Sequence, residues 1–297
     1  MRSPTLRRRE LGALLRAFRV SQGLTVDQVA EHLLCSPSKV SKMETGHGTV
    51  TLRDVRDLCD LYGVTDEGER ERLTQLAREG KAQGWWQAYG LPYPTYVGLE
   101  AEATSISDYD SAVVPGLLQT ADYARALHEA AIPKMAPDVI EQWVASRAAR
   151  QRLLHRPDPP RFHAVLDEAV LRRVIGRPEV MRAQLQRLAE AAKFPTVRIQ
   201  VIPYSAGAHP ALDSTFNILD FGGSVPSVVY VEGLIGPSYL DRSEDVVRYR
   251  EVFDHLCVIA LTPKDSIEFI VDNSLSGPEL NLPAAARAGR VLSLLGN

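Results

Sequence analysis

The sequence predicts two architectures in one chain: an all-α N-terminal bundle of five short helices, followed by a larger α+β domain built around a mixed sheet. Three observations carry this. Apolar residues recur at helical spacing, with capping signals between the stripes, as far as residue 80. Beyond residue 160, β-branched runs alternate with helical segments. A chain of 297 residues is also too long for one small core.

In the first helix Leu11, Leu14, Leu15 and Phe18 share a face, and Gly23 breaks the pattern. Thr25 stands three residues before Gln28, the spacing at which hydroxyl and amide side chain satisfy each other's exposed backbone N–H groups; Val26, Val29, Ala30 and Leu33 supply the buried stripe. A third helix opens with Ser36 as N-cap and Pro37 in the first helical position, where a missing donor costs nothing, and turns Val40 and Met43 inward. Leu52, Val55, Leu58, Leu61 and Tyr62 mark a fourth helix before Gly63, and Leu73, Leu76 and Ala77 a fifth before Gly80. Residues 1–80 thus form the first domain.

The mixture of charge, Gly, Pro and aromatics over residues 81–96 reads as a connector, with Trp85, Trp86 and Tyr89 as a packing cluster rather than an aromatic ligand box. The α+β domain is expected over residues 97–271. Helical segments are read at 97–109, after the N-cap Thr120, and at 138–155. In the last, Ile140, Trp143, Val144 and Ala148 face inward, and Arg147, Arg150, Arg152 and Arg156 form a solvated or acid-paired face. "RFHAVLD", "TVRIQVIPY", "STFNILDF" and "SVVYVEG" read as four strands, with two helices after the first of them, the second opening at Pro178. Closing helices are expected at 243–257 and 264–271. Residues 272–297 read as a tail in which "AAARAGRVLSLL" forms a short docking helix.

With 45% hydrophobic and 24% charged residues, the chain can bury its cores without staples. Cys35, Cys59 and Cys257 are scattered singly, which argues against a zinc site and against a secreted disulfide framework. No apolar run reaches the roughly 18 residues of a membrane span, and no signal-peptide h-region follows the basic N-terminus. A cytoplasmic protein with no membrane, metal or cofactor is expected. Net charge is -3, yet residues 1–45 hold eight Lys/Arg against four acids, a local basic surplus that attracts polyanions.

Once Val40 and Met43 are buried, the third helix presents Ser38, Lys39, Ser41 and Lys42, small donors and long cations suited to base edges and phosphates. That face is expected in the major groove of double-stranded DNA. The run Ala30, Glu31, Leu33, Ser36, Ser38, Val40, Ser41, Glu44, Gly46 resembles the helix-turn-helix of the Xre and phage-repressor type. The resemblance covers about the first 70 residues. It implies a homodimer that reads bases through Pro37, Ser38 and Lys42, with Lys39 and Ser41 near the DNA backbone and Gln28, Ser36 and Thr49 completing the contact set. It also implies that Arg19 pairs with Glu44 to brace the first helix against the third. The sequence departs from the pattern at the corner, where Leu34 replaces the usual Gly at a position of positive φ. It departs again at Val26, where relatives often carry a phosphate-binding glutamine, so one anchoring contact is missing. Cys35, inside the corner, is read as a core residue.

"YVGLEAEATSISDYDSAVVPGLLQTADYARAL", "VLDEAVLRRVIG", "IQVIPYSAGAHPALDSTFNILDF" and "VVYVEG" resemble the C-terminal domain of a large group of actinobacterial Xre-type regulators, over roughly residues 90–270. That likeness implies an antitoxin-like regulator acting with a small partner protein encoded nearby, in developmental or antibiotic-production control; the domain has no assigned chemistry. Candidate catalytic groups are His163, Asp167 and Glu168, then His209, Asp213 and Ser214, and Glu232. They match no nucleophile elbow, phosphate-cradling loop or metal motif, so no enzyme is expected. His209 and Asp213 are read as a candidate ligand or partner loop, and the alternative functions are a regulator that senses a small molecule in a pocket of the α+β domain or, behind it, an enzyme built on that domain.

Overall fold

Ser3 starts the chain's first helix by accepting a hydrogen bond from the Thr5 N–H, and Pro4 fills the first helical position; α1 then runs Pro4–Ser21, a full turn and more ahead of its apolar stripe. The structure is a computed structural model and describes residues 3–91, 93–222, 225–233 and 236–276. Its contacts divide the chain into two units, Met1–Thr104 with Leu219–Ser227 and Ser105–Ile218 with Val228–Asn297.

The first unit carries α2 (Val26–His32), α3 (Pro37–Glu44), α4 (Leu52–Leu61) and α5 (Glu67–Gly80), then α6 (Pro94–Glu100). Thr25/Gln28 and Thr51/Asp54 each form the reciprocal cap. Leu11, Leu15, Val29, Val40, Met43 and Leu58 are among the residues buried in one core; Leu52, expected inside, is exposed at the start of α4. Burying such side chains contributes about 1.5–3 kcal/mol each. The stretch expected as a connector belongs to this unit. Trp86 is buried against Gly98, where an added Cβ would lie 2.7 Å from its ring and 2.4 Å from the Thr5 hydroxyl. Trp85 meets Trp86 and Tyr89 edge to face at 5.9 and 5.8 Å, so the three aromatics pack on one another.

Helix ends here share one chemistry. After α1, Gly23 is left-handed, its N–H returning to Val20 and the Leu24 N–H to Arg19; Gly63 repeats the pattern after α4. After α2 the same two bonds form, Leu34 N–H to Glu31 and Cys35 N–H to Ala30, yet the left-handed residue is Leu34 at φ 51°.

A six-stranded mixed sheet, in the second unit but for the last two residues of β4, has the order β3-β2-β1-β4-β5-β6, with strands Ser105–Asp110, Arg161–Asp167, Val197–Ile202, Phe216–Asp220, Val228–Gly233 and Gly236–Leu240 numbered in chain order. β1, β2 and β3 run parallel, while β5 and β6 are antiparallel. The α+β architecture expected from sequence is present, with two strands more than the sequence reading found. Residues 97–109 do not continue as a helix: α6 ends at Glu100, and "SISDYD" becomes β1, with Ile106 and Tyr109 fully buried. β6 was missed because "GPSYL" shows Gly, Pro and mostly exposed positions, the composition of a blunted edge strand.

The helices are α7 (Ala121–Glu129), α8 (Pro137–Gln151), α9 (Glu168–Arg172), α10 (Pro178–Ala191), α11 (Ser243–Ile259) and α12 (Pro263–Ser276). Thr120 caps α7 and Pro178 opens α10. On α8 the expected faces are partly exchanged: Arg150 is buried, Arg147 packs against Gly116, and Ala148 is exposed. An arginine stem covers apolar surface that a short alanine cannot reach. α12 continues through residue 276, five residues into the expected tail, and the rest of that tail with its docking segment lies outside the described residues. At the β3 edge, the Val201 N–H donates to Ser266 Oγ at 3.0 Å and the Leu261 N–H to the Val201 carbonyl at 2.8 Å.

Candidate nucleic-acid interface

α3 is short, and its ends are fixed by its own sequence. Ser36 Oγ accepts from the Lys39 N–H at 3.2 Å, Pro37 sits in the first turn, and Val40 and Met43 anchor the inner face. What remains outside is Ser36, Pro37, Ser38, Ser41 and Lys42, all exposed, with Thr49 exposed in the following loop. Gln28 is exposed on α2, but its Oε1 is engaged by the Thr25 N–H at 2.8 Å, leaving the amide NH₂ to donate outward.

The brace is a two-point clamp. Arg19 Nε donates to Glu44 Oε1 at 2.6 Å and Nη2 to Oε2 at 3.0 Å, while Nη1 reaches the Leu24 carbonyl at 2.8 Å. Hydrogen bonding to Glu44 raises the Arg19 pKa above its ordinary value. Close approach of the helices depends on Gly12, where a Cβ would lie 2.5 Å from the carbonyl oxygens of Met43 and Glu44. Cys35 is half-buried beside this core, in keeping with its reading as a core residue.

The basic surplus of residues 1–45 is largely spent inside the unit. Arg7 pairs with Glu10 and Glu79, Arg8 donates to the Gly80 carbonyl, and Arg9 is buried. Lys39, expected near the DNA backbone, places Nζ 3.1 Å from Asp54 Oδ1 and so also ties α3 to the cap of α4. Burial works to raise the Asp54 carboxyl, but hydrogen bonds from Thr51 and Lys39 outweigh it and hold the group below the usual carboxylate range. Lys42 keeps an exposed ammonium on the outer face of α3.

The second unit's candidate residues gather only in part: His209 approaches Asp167, while His163, Asp213, Ser214 and Glu232 have other neighbours. His209 is buried: its Nε2 lies 3.5 Å from the Tyr109 hydroxyl and 3.7 Å from Asp167 Oδ2, and its Nδ1 accepts from the Ala211 N–H at 3.3 Å. Asp213 and Ser214 lie elsewhere, lining a pocket with α11. Of the loop read as a candidate ligand or partner site, His209 turns inward to fill the core, while Asp213 stays exposed at the pocket. Glu168 accepts from the Tyr204 N–H at 2.8 Å and from Arg172 at 2.9 Å. His163 bonds Gln200 at 2.9 Å and approaches the Cys257 sulfur at 3.9 Å. Burial pushes that thiol up to about 11 and lowers the His163 pKa, so at neutral pH the pair rests as thiol and neutral imidazole. Glu232, exposed on β5, acts on Asp110, whose carboxyl is raised first by burial and then by this neighbour. Cys257 was not read as a partner of His163, since 94 residues separate them and only the packing of α11 on the sheet joins them.

Among the described residues no group of His, Cys, Asp and Glu could hold a metal ion, and no helix is long and apolar enough to cross a membrane.

A capped, braced helix with a polar outer face, on a small helical scaffold, defines a helix-turn-helix protein, and the family described as "Helix-turn-helix domain" matches residues 10–73. The family described as "Domain of unknown function (DUF5753)" matches residues 93–272, more than half of the chain. The chain belongs to that family, and joins its domain to a DNA-binding helix-turn-helix module. No curated protein and no solved structure matches it.

Proposed function

We propose that this chain is a sequence-specific transcriptional regulator of the Xre type. It binds double-stranded DNA as a homodimer, with two copies of α3 entering successive major grooves about 34 Å apart. The observation that carries the reading is the exposed Ser38, Ser41 and Lys42 face on a helix whose other side is locked by Val40, Met43 and the Arg19–Glu44 clamp. The chain is an antitoxin-like regulator whose second unit receives a signal, in the leading reading from a small partner protein encoded nearby, and that unit is a receiver rather than a catalyst. Supporting this, His163 and His209 are taken up by packing and hydrogen bonds, and the Cys257 thiol is held protonated. The site of action is the cytoplasm, on the nucleoid.

Footprinting on the DNA upstream of the chain's own coding region tests the reading. A protected palindrome whose affinity falls steeply with salt supports it, through counterion release. No retarded complex at low salt overturns it. Co-purification with the product of the adjacent gene tests the partner, and failure of the two to associate sinks that part alone. A second reading, a small-molecule signal, is favoured by the pocket beside α11.

A further inference from the structure

The second unit keeps a pocket of about 490 Å³ between the loop ahead of β4, the end of β6 and α11. Its floor is the border of the sheet's core. Phe216 opens β4, Leu240 closes β6, and Tyr249 and Val252 come down from α11. The Phe216 and Tyr249 rings meet edge to face with centroids 4.9 Å apart, giving the pocket an aromatic wall. Around this apolar surface stand Asp213 from the loop and Asp245 and Arg248 from α11. None of these three side chains has a hydrogen-bond or ion-pair partner among the described residues. Asp213 and Arg248 are exposed at the mouth and Asp245 is half-buried.

A cavity of this size falls in the range that encloses small organic ligands, and such sites combine apolar walls with a few convergent polar groups. Its charge complement narrows the chemistry. Two carboxylates against one guanidinium leave a negative excess, and aromatic faces attract cations through their quadrupole. We propose that this pocket binds a small organic amine. Asp213 and Asp245 hold the ammonium, Phe216, Tyr249 and Val252 cover an aromatic or aliphatic body, and Arg248 takes a carbonyl or carboxylate where the molecule carries one. The inference rests on the second reading, that the second unit receives a small-molecule signal, and it names the class of that signal.

Calorimetric titration of the full chain, without DNA, tests it with three probes that share one body: 2-phenylethylamine, phenylalanine and 3-phenylpropionate. The amine and the amino acid are expected to bind saturably, and the acid at least tenfold more weakly. Asp213→Asn with Asp245→Asn should weaken the amine by about tenfold or more, the loss of charge-assisted hydrogen bonds. Val252→Trp, which fills the floor, should abolish binding at an unchanged melting temperature. If Val252→Trp perturbs the fold, the doubly substituted variant, altered only at polar side chains, decides. The proposal is overturned if neither nitrogen-bearing probe binds, if the acid binds as well as the amine, or if the doubly substituted variant binds the amine like the parent. Such failure leaves DNA binding by the first unit untouched, whereas intact amine binding without any DNA complex sinks the regulator reading instead.

Discussion

Arg19 and Glu44, 25 residues apart in sequence, close a bidentate ion pair that is 13% and 7% exposed and fastens the end of α3 to α1. Removing one partner leaves the other charge largely buried and unmatched, which costs several kcal/mol at fully buried sites. At this partly open site Arg19→Met is expected to cost about 2–3 kcal/mol. Urea unfolding of the full chain followed by helical signal measures it. A double-mutant cycle with Glu44→Gln should show strong coupling, the pair together costing well under the sum of the two. Additive costs would mean that the clamp does not hold α3.

Leu34 offers the opposite sign. The turn after α2 forms the same paired hydrogen bonds as the turns after α1 and α4, but with a leucine at φ 51° where they have Gly23 and Gly63. A left-handed non-glycine residue costs roughly 1–2 kcal/mol, and glycine gives back part of that through its more flexible unfolded state. Because the side chain is 92% exposed, no burial is lost. Leu34→Gly should therefore stabilise the chain by about 0.5–1 kcal/mol without changing DNA affinity. A destabilised variant would show that the exposed leucine makes a contact of its own.

The helices of the first unit were legible because their signals are local: Thr25 with Gln28, Ser36 with Pro37, and the stripe of Val40 and Met43 all act within two turns. The Arg19–Glu44 pair came from family resemblance, since nothing local joins residues so far apart. What the sequence hid is long-range. Lys39 looks like any surface cation until the fold of α4 brings Asp54 to it, and Arg7, Arg8 and Arg9 look like a basic patch until α5 supplies Glu79 and the Gly80 carbonyl. β1 was hidden for a different reason. Asp108 and Asp110 interrupt its apolar residues, and only pairing with β2 makes "SISDYD" a strand.

The two lysines of α3 should separate in experiment. Lys42 faces outward, so Lys42→Ala is expected to weaken specific DNA binding by about 1–3 kcal/mol if it reads a base edge, measured by gel shift at fixed salt. Lys39→Ala removes one of the interactions that keep Asp54 ionised. A carboxyl with a depressed folded pKa contributes stability above its unfolded value, near 3.9, and loses it as pH falls through the folded one. Asp54→Asn should thus flatten the acid limb of the stability profile below about pH 4, and Lys39→Ala should reproduce part of that effect. Equal losses of DNA affinity in Lys39→Ala and Lys42→Ala would contradict this division of labour.

His128 gives the second unit a pH signature of its own. Its ring packs edge to face on Trp143 with centroids 5.2 Å apart, and its Nε2 is buried without a hydrogen-bond partner among the described residues. Burial first, and the nearby Arg147 second, lower its pKa from 6.5 to about 4. The unfolded chain takes up this proton near 6.5 and the folded chain only near 4, so unfolding binds a proton throughout that window. Stability therefore declines as the solution is acidified from 6.5 towards 4 and levels off below it. Nuclear magnetic resonance titration should find the His128 imidazole neutral down to about pH 4, and His128→Gln should remove its share of the slope between those limits. An imidazole titrating at its ordinary value would mean that water reaches Nε2, and that α7 and α8 are not closed around it.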